Sequence, residues 1–152
     1  MGLTPVKLSD TLKHTFRLFF FIALANFVIG IILIISGVLD TKAVSDIVLS
    51  IPPLLLFYYF VIRVFLEEWL FRAFLTPKLG PIITNILFAA GHIGYGSISE
   101  IVVAFFLGVV LSVYYLKTKN LYSNYFAHLL YNLISYTFMV LEYGTISAAL
   151  IH

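Results

Sequence analysis

From Leu18 to Leu39 the chain carries no charged side chain. A helix over that run is long enough to cross the roughly 30 Å hydrocarbon core of a bilayer at about 1.5 Å per residue. That run constrains the fold more than any other feature, because a soluble domain could not cover it. The composition agrees, with 62% hydrophobic and 11% charged residues over 152 positions, against roughly a quarter charged in soluble domains. Cysteine is absent, which excludes disulfides and thiolate metal sites. The nine basic residues are scattered and the net charge is +2, so there is no electrostatic footprint for nucleic acid.

The expected fold is therefore all-α: a polytopic transmembrane bundle of about five helices forming a single membrane domain over 1–152. Lys7 to Arg17 reads as an amphipathic interfacial helix, with Leu8, Leu12 and Phe16 on one face and Lys13 and Arg17 able to reach headgroups. Leu18 to Leu39 is too long for a signal-peptide core and is read as a retained span. The second span starts near Ile47, is kinked or delayed by Pro52 and Pro53, and runs to about Leu75. A short third helix covers about Pro81 to His92, a fourth Ile101 to Leu116, and a fifth about Leu121 to Leu141. Whether 143–152 crosses is left open by the sequence, as is the oligomeric state. Val6 stands where a myristoylation signal after Gly2 would need Ser or Thr.

Basic residues set the orientation. With the N-terminus cytoplasmic, Lys7, Lys13, Arg17, Arg72, Lys78, Lys117 and Lys119 fall inside and Lys42 outside.

Ionisable groups at membrane depth cost at least ~2.5–3.5 kcal/mol each on insertion scales, so each needs a reason. The candidates are Arg63, Glu67, Glu68 and Arg72 in the second helix, His92 at the end of the third, and His128 with Asn132 in the fifth. Counting helical rise from the cytoplasmic ends puts Glu67 about 12 Å deep, His92 about 16 Å, His128 about 10 Å and Asn132 about 16 Å. Three helices thus deliver polar groups to one layer. Glu68 and Arg72 are four apart and can pair, leaving Glu67 turned about 100° away; Arg63, four before Glu67, can restrain it instead. Low dielectric disfavours the charged form of a carboxylic acid, which suits proton transfer near neutral pH. A histidine nearby can orient water, and a second histidine with an amide can stabilise an oxyanion.

Glu67-Glu68-Trp69-Leu70-Phe71-Arg72, Phe88-Ala89-Ala90-Gly91-His92 and His128-Leu129-Leu130-Tyr131-Asn132 follow one another on three hydrophobic helices. In this order they resemble the three motifs of the CPBP intramembrane proteases, the group that includes Rce1-type CAAX prenyl proteases and the Abi-type bacteriocin-processing relatives. The resemblance covers 47–141. It implies an intramembrane endopeptidase acting on a membrane-associated, prenylated or unmodified, peptide or protein substrate in a cavity open to the cytoplasm. By the same resemblance Glu67 activates water with His92, His128 and Asn132 stabilise the tetrahedral intermediate, and Glu68, Arg72 and Arg63 support the site. No cofactor is favoured. Zinc on Glu67, His92 and His128 is the alternative, and no aspartate or further histidine stands near to complete that ligand set.

Plainer readings stand beside these. The Glu67, Glu68 and Arg72 cluster can be an ion-pair network at a helix end, and His92 a histidine bonded to a carbonyl. His128 and Asn132 can be interhelical hydrogen-bonders, as can Asn26 and Asn85. His14 and His152 read as exposed bystanders. In other function classes, the chain would be a non-catalytic membrane scaffold derived from the same family, or a small proton or ion pathway.

Overall fold

In a computed structural model, the backbone is described for residues 7–149 and the side chains for 7–142. Gly2 and His152 lie outside the described residues. Every regular element among those described is helical: α1 (Leu8–Ile35), α2 (Lys42–Leu49), α3 (Pro53–Tyr58), α4 (Val64–Glu67), α5 (Thr76–Ala90), α6 (Ile98–Thr118) and α7 (Leu121–Ala149). By length and hydropathy, α1 and α6 can cross a membrane, and the bent pair starting with α2 can make a third crossing. α7 has the length, but the polar row Asn124, His128 and Asn132 dilutes its hydropathy.

The N-terminal amphipathic segment and the first span form one continuous helix, because no glycine, proline or capping side chain separates them. Its inward stripe is Thr11, Thr15, Leu18, Ile22, Ile29 and Leu33, whereas Leu8, Leu12 and Phe16 face outward. Leu18 and Ile22 meet Leu107 and Leu111 of α6 and Ala127 of α7 in the main apolar cluster. His14, expected to be exposed, is half-buried with its Nδ1 2.8 Å from the Tyr114 hydroxyl. Asn120 Nδ2 donates to Thr11 Oγ1 at 3.3 Å, fixing the α6–α7 turn against α1.

The prolines delay the second span. α2 ends at Leu49, and the rod that begins at Pro53 departs at 112°. That rod alternates its winding: α3, a π-helical stretch Tyr59–Arg63, α4, and a second π-helical stretch Glu68–Leu75. Such wide turns occur often at functional sites. Gly80, with φ 77° and ψ 164°, then breaks the helix just before Pro81 and turns the rest of α5 back along α6. The left-handed φ explains the glycine there.

α5 and α6 pack closely because Gly108 has no side chain. A Cβ at that position would collide with the Asn85 amide. Small residues that allow such approach, together with interhelical hydrogen bonds, are how helices associate in lipid, where burying apolar groups offers little gain. At the other end, Ser97 and Ser99 hydroxyls both donate to the Asp40 carbonyl, at 2.8 and 2.9 Å, while Asp40 N–H donates to Ser99 Oγ at 3.1 Å. The α1–α2 connection is thereby clamped to the start of α6.

Candidate active site

The two adjacent glutamates are directed to different surroundings. Glu68 and Arg72 expose no side-chain surface, and Arg72 Nε lies 3.4 Å from Glu68 Oε2. The other Glu68 oxygen accepts from His128 Nδ1 at 2.8 Å. Asn124 Nδ2 donates to the Leu111 carbonyl at 2.9 Å and, more weakly, to Glu68 Oε2 at 3.4 Å. Arg72 continues the network: NH1 donates to Asn85 Oδ1 at 2.8 Å, and the guanidinium lies 4.6 Å from the centre of the Phe88 ring. Asn85 is held in turn, its Nδ2 donating to the Pro81 carbonyl at 2.6 Å and to Ser112 Oγ at 2.9 Å. A buried charge is tolerable when paired and hydrogen-bonded; here Arg72 has its counter-charge in Glu68 and one hydrogen bond through NH1, while its Nε and NH2 are buried without a hydrogen-bond partner.

Glu67 faces the other way. Arg63 Nε contacts Glu67 Oε1 at 2.8 Å, and the guanidinium sits 5.4 Å from the centre of the Tyr59 ring. The two pairings that the sequence offers as competitors therefore coexist, Glu68 with Arg72 and Glu67 with Arg63, on separate faces of one rod.

A cavity of about 340 Å³ opens beside this rod, and Arg63, Glu67, His92, His128 and Asn132 all line it. That volume is in the range of small-molecule and peptide sites. The layer expected from helical rise is thus a single chamber, fed by the rod, by the turn after α5 and by α7. His92 sits just past the α5 cap at Gly91. Its Nδ1 lies 2.9 Å from the Phe88 carbonyl. A carbonyl only accepts, so Nδ1 carries the proton and Nε2 is left as an acceptor. His128 has Nδ1 committed to Glu68, which fixes its ring and leaves Nε2 for the cavity. Glu68 and Arg72 do not line the chamber; they brace it from behind.

Two polar residues of this region are not singled out by the sequence. Asn124 is one turn before His128 and reads as an ordinary residue of a polar helix start beside Lys117 and Lys119. Its use becomes visible only when α6 presents the Leu111 carbonyl. Glu100 lines the cavity, yet with Ser97 it spells a helix-capping box, and Ser97 Oγ does accept from Glu100 N–H at 3.2 Å. The spacing Asn124, His128, Asn132 at steps of four was the available signal for the first.

Among the described residues, no three carboxylate, imidazole or thiol groups stand together in a way that could hold a metal ion. As placed, Glu67, His92 and His128 do not fit a zinc site.

The family model described as type II CAAX prenyl endopeptidase, Rce1-like, matches residues 49–134. The match spans the rod, α5, α6 and the part of α7 that holds His128 and Asn132. No curated protein and no solved structure matches the chain.

Proposed function

The chain belongs to the Rce1-like family of type II CAAX prenyl endopeptidases, and on that premise we propose that it hydrolyses a peptide bond of a membrane-associated peptide or protein by a glutamate-activated water. The observation that carries this reading is the single cavity lined by Glu67, His92, His128 and Asn132. The bilayer is its solvent, and Asp40 and Thr41 of the α1–α2 connection, on the side opposite the N-terminus by the distribution of lysines and arginines, are among the lining residues of the cavity.

In the proposed reaction, a water donates one hydrogen bond to the lone pair of His92 Nε2 and the other to Glu67. As the water oxygen adds to the scissile carbonyl, Glu67 takes its proton. The carbonyl oxygen becomes an oxyanion, which accepts from the Asn132 amide and from Nε2 of a protonated His128 ring. Donors placed where charge develops contribute more than those serving the ground state. Collapse breaks the C–N bond, and the proton held by Glu67 passes to the leaving amine. The products are a carboxylic acid and an amine, which ionise to carboxylate and ammonium, and no other reactant is consumed. Glu68 holds the His128 ring, and Arg72 balances the Glu68 charge.

The test is a cleavage assay in proteoliposomes, using internally quenched peptides with and without a prenyl group. Wild type runs beside Glu67→Gln and His92→Ala, each with and without a zinc chelator. Activity lost in both variants and indifferent to chelator is the expected result. Full activity in either variant would refute the mechanism, and chelator sensitivity would replace it with a metal-based one.

The Arg63–Glu67 ion pair favours one second reading, because it occupies an oxygen of the carboxylate that would have to take the proton. In that reading the chain is a non-catalytic scaffold that uses the same cavity to hold a partner membrane protein. Stable co-purification with such a partner, surviving Glu67→Gln, together with no cleavage of any peptide, would establish it.

A further inference from the structure

We propose that the end of the bundle where α1 begins carries a binding site for an anionic phospholipid, its phosphate held between α1 and α6 by Arg17, His14, Tyr114 and Lys117. The site stands apart from the cavity and does not depend on whether the chain hydrolyses peptides.

Charge is spread unevenly along the bundle. Lys7, Lys13, Arg17, Lys117 and Lys119 gather where α1 begins and α6 turns into α7, and among the described residues Asp10 is the one acidic group at that end. Asp40, Asp46 and Glu100 stand at the other end, where the Asp40 backbone is clamped to Ser97 and Ser99. Among the described residues, Lys13, Arg17 and Lys117 form no ion pair. Lys78 and Lys119 are engaged differently, over the rings of Phe74 and Tyr115 at 3.5 and 5.6 Å from the ring centres.

Two antiparallel helices bring the uncommitted cations to one groove. His14 Nδ1 lies 2.8 Å from the Tyr114 hydroxyl, and the two rings meet edge to face with centres 5.9 Å apart. Arg17 follows His14 by three residues on α1, and Lys117 follows Tyr114 by three on α6. The cations therefore lie about 4.5 Å to either side of the His14–Tyr114 contact along the helix axes. Long basic side chains bridge such a distance while their stems rest on apolar surface. Arg17 is close enough for its charge to act on the Tyr114 hydroxyl. Arg17 and Lys117 are exposed, whereas His14 and Tyr114 are half-buried. With the hydroxyl donating to Nδ1, His14 Nε2–H is a further donor beside the guanidinium, whose planar fork suits phosphate oxygens.

The surface deeper along α1 distinguishes a lipid from a free phosphate. Phe21 packs beside Tyr114 with ring centres 6.5 Å apart. Phe21, Leu24 and Val28 continue along one face of α1, each between 44 and 49% exposed. An acyl chain running down that stripe covers it, while the phosphate sits among the cations. Basic side chains in a crevice between membrane helices are the pattern that selects anionic headgroups. α1 lies outside residues 49–134, so half of this site is built by a helix that the family match does not include.

The experiment titrates the full chain in detergent micelles with dioctanoyl phosphatidylglycerol and, separately, dioctanoyl phosphatidylcholine, and reads bound lipid by native mass spectrometry. Wild type runs beside the double variant Arg17→Gln, Lys117→Gln. A control double variant, Lys42→Gln, Lys78→Gln, removes the same charge elsewhere on the molecule. Wild type is expected to bind phosphatidylglycerol about tenfold more tightly than phosphatidylcholine. The first double variant loses that preference, and the control keeps it within about twofold. Thermal unfolding in the same micelles shows that each variant is folded, with phosphatidylglycerol raising the transition of wild type and control alone. Equal binding of the two lipids by wild type, or an equal loss in the control, overturns the site. Displacement of phosphatidylglycerol by an equimolar amount of inorganic phosphate overturns its assignment to a lipid.

Discussion

Glu68 and His128 are sixty residues apart and joined by a 2.8 Å contact between Oε1 and Nδ1, inside a region with no exposed surface on the glutamate. The same carboxylate neutralises Arg72, so one side chain holds both the back wall of the cavity and the ring proposed to face the substrate. Glu68→Gln leaves the Arg72 guanidinium buried without its counter-charge. Breaking a buried pair in this way costs about 3–5 kcal/mol. We expect a clear fall in the thermal unfolding temperature in detergent, together with lost cleavage; an unchanged melting curve would contradict this account of the network.

Glu67→Gln is expected to behave differently. Glu67 is partly exposed and its pairing with Arg63 lies on the cavity side, so the fold tolerates the amide. Removal of a general base lowers the rate by about 10²–10⁴-fold. The prediction is a near-native unfolding curve with cleavage at background, read on the same preparation.

Asn132→Ala removes a proposed oxyanion donor without touching the Glu68 network. Losing one such donor typically costs about 10²–10³ in kcat. We expect kcat to fall by that order with KM little changed. A rise in KM at constant kcat would reassign Asn132 to substrate binding.

Two glycines that look alike in sequence separate sharply. Gly108→Ala forces a methyl into the Asn85 amide that holds Arg72, and overpacking of this kind costs about 1–3 kcal/mol. Gly30→Ala, in α1, meets nothing within 4 Å and gains helix propensity of up to about 1 kcal/mol. Thermal unfolding of the pair should move in opposite directions.

Most of the chamber was legible because membrane depth makes polarity expensive. Glu67, His92, His128 and Asn132 stood out against apolar helices, and helical rise was enough to put them in one layer. What failed to show were groups with an ordinary local explanation. Glu100 passes as a capping residue behind Ser97, and Asn124 as part of a polar helix start. His14 lay near the N-terminus among lysines, with nothing nearby in sequence to announce Tyr114, a hundred residues on. The winding of the rod 53–75 was also hidden, since π-helical hydrogen bonding reflects packing across helices and leaves no local residue pattern.

That winding has a consequence for how the chain tolerates change. In a π-helical stretch each turn holds about one residue more than in an α-helix. Removing a single residue from 68–75 would let the stretch rewind as α-helix with the helices on either side still in phase. Only residues inside the stretch would be re-aimed, Arg72, now directed at Asn85, among them. The wide winding is thus a place where the rod carries an extra residue without turning α4 and α5 relative to each other.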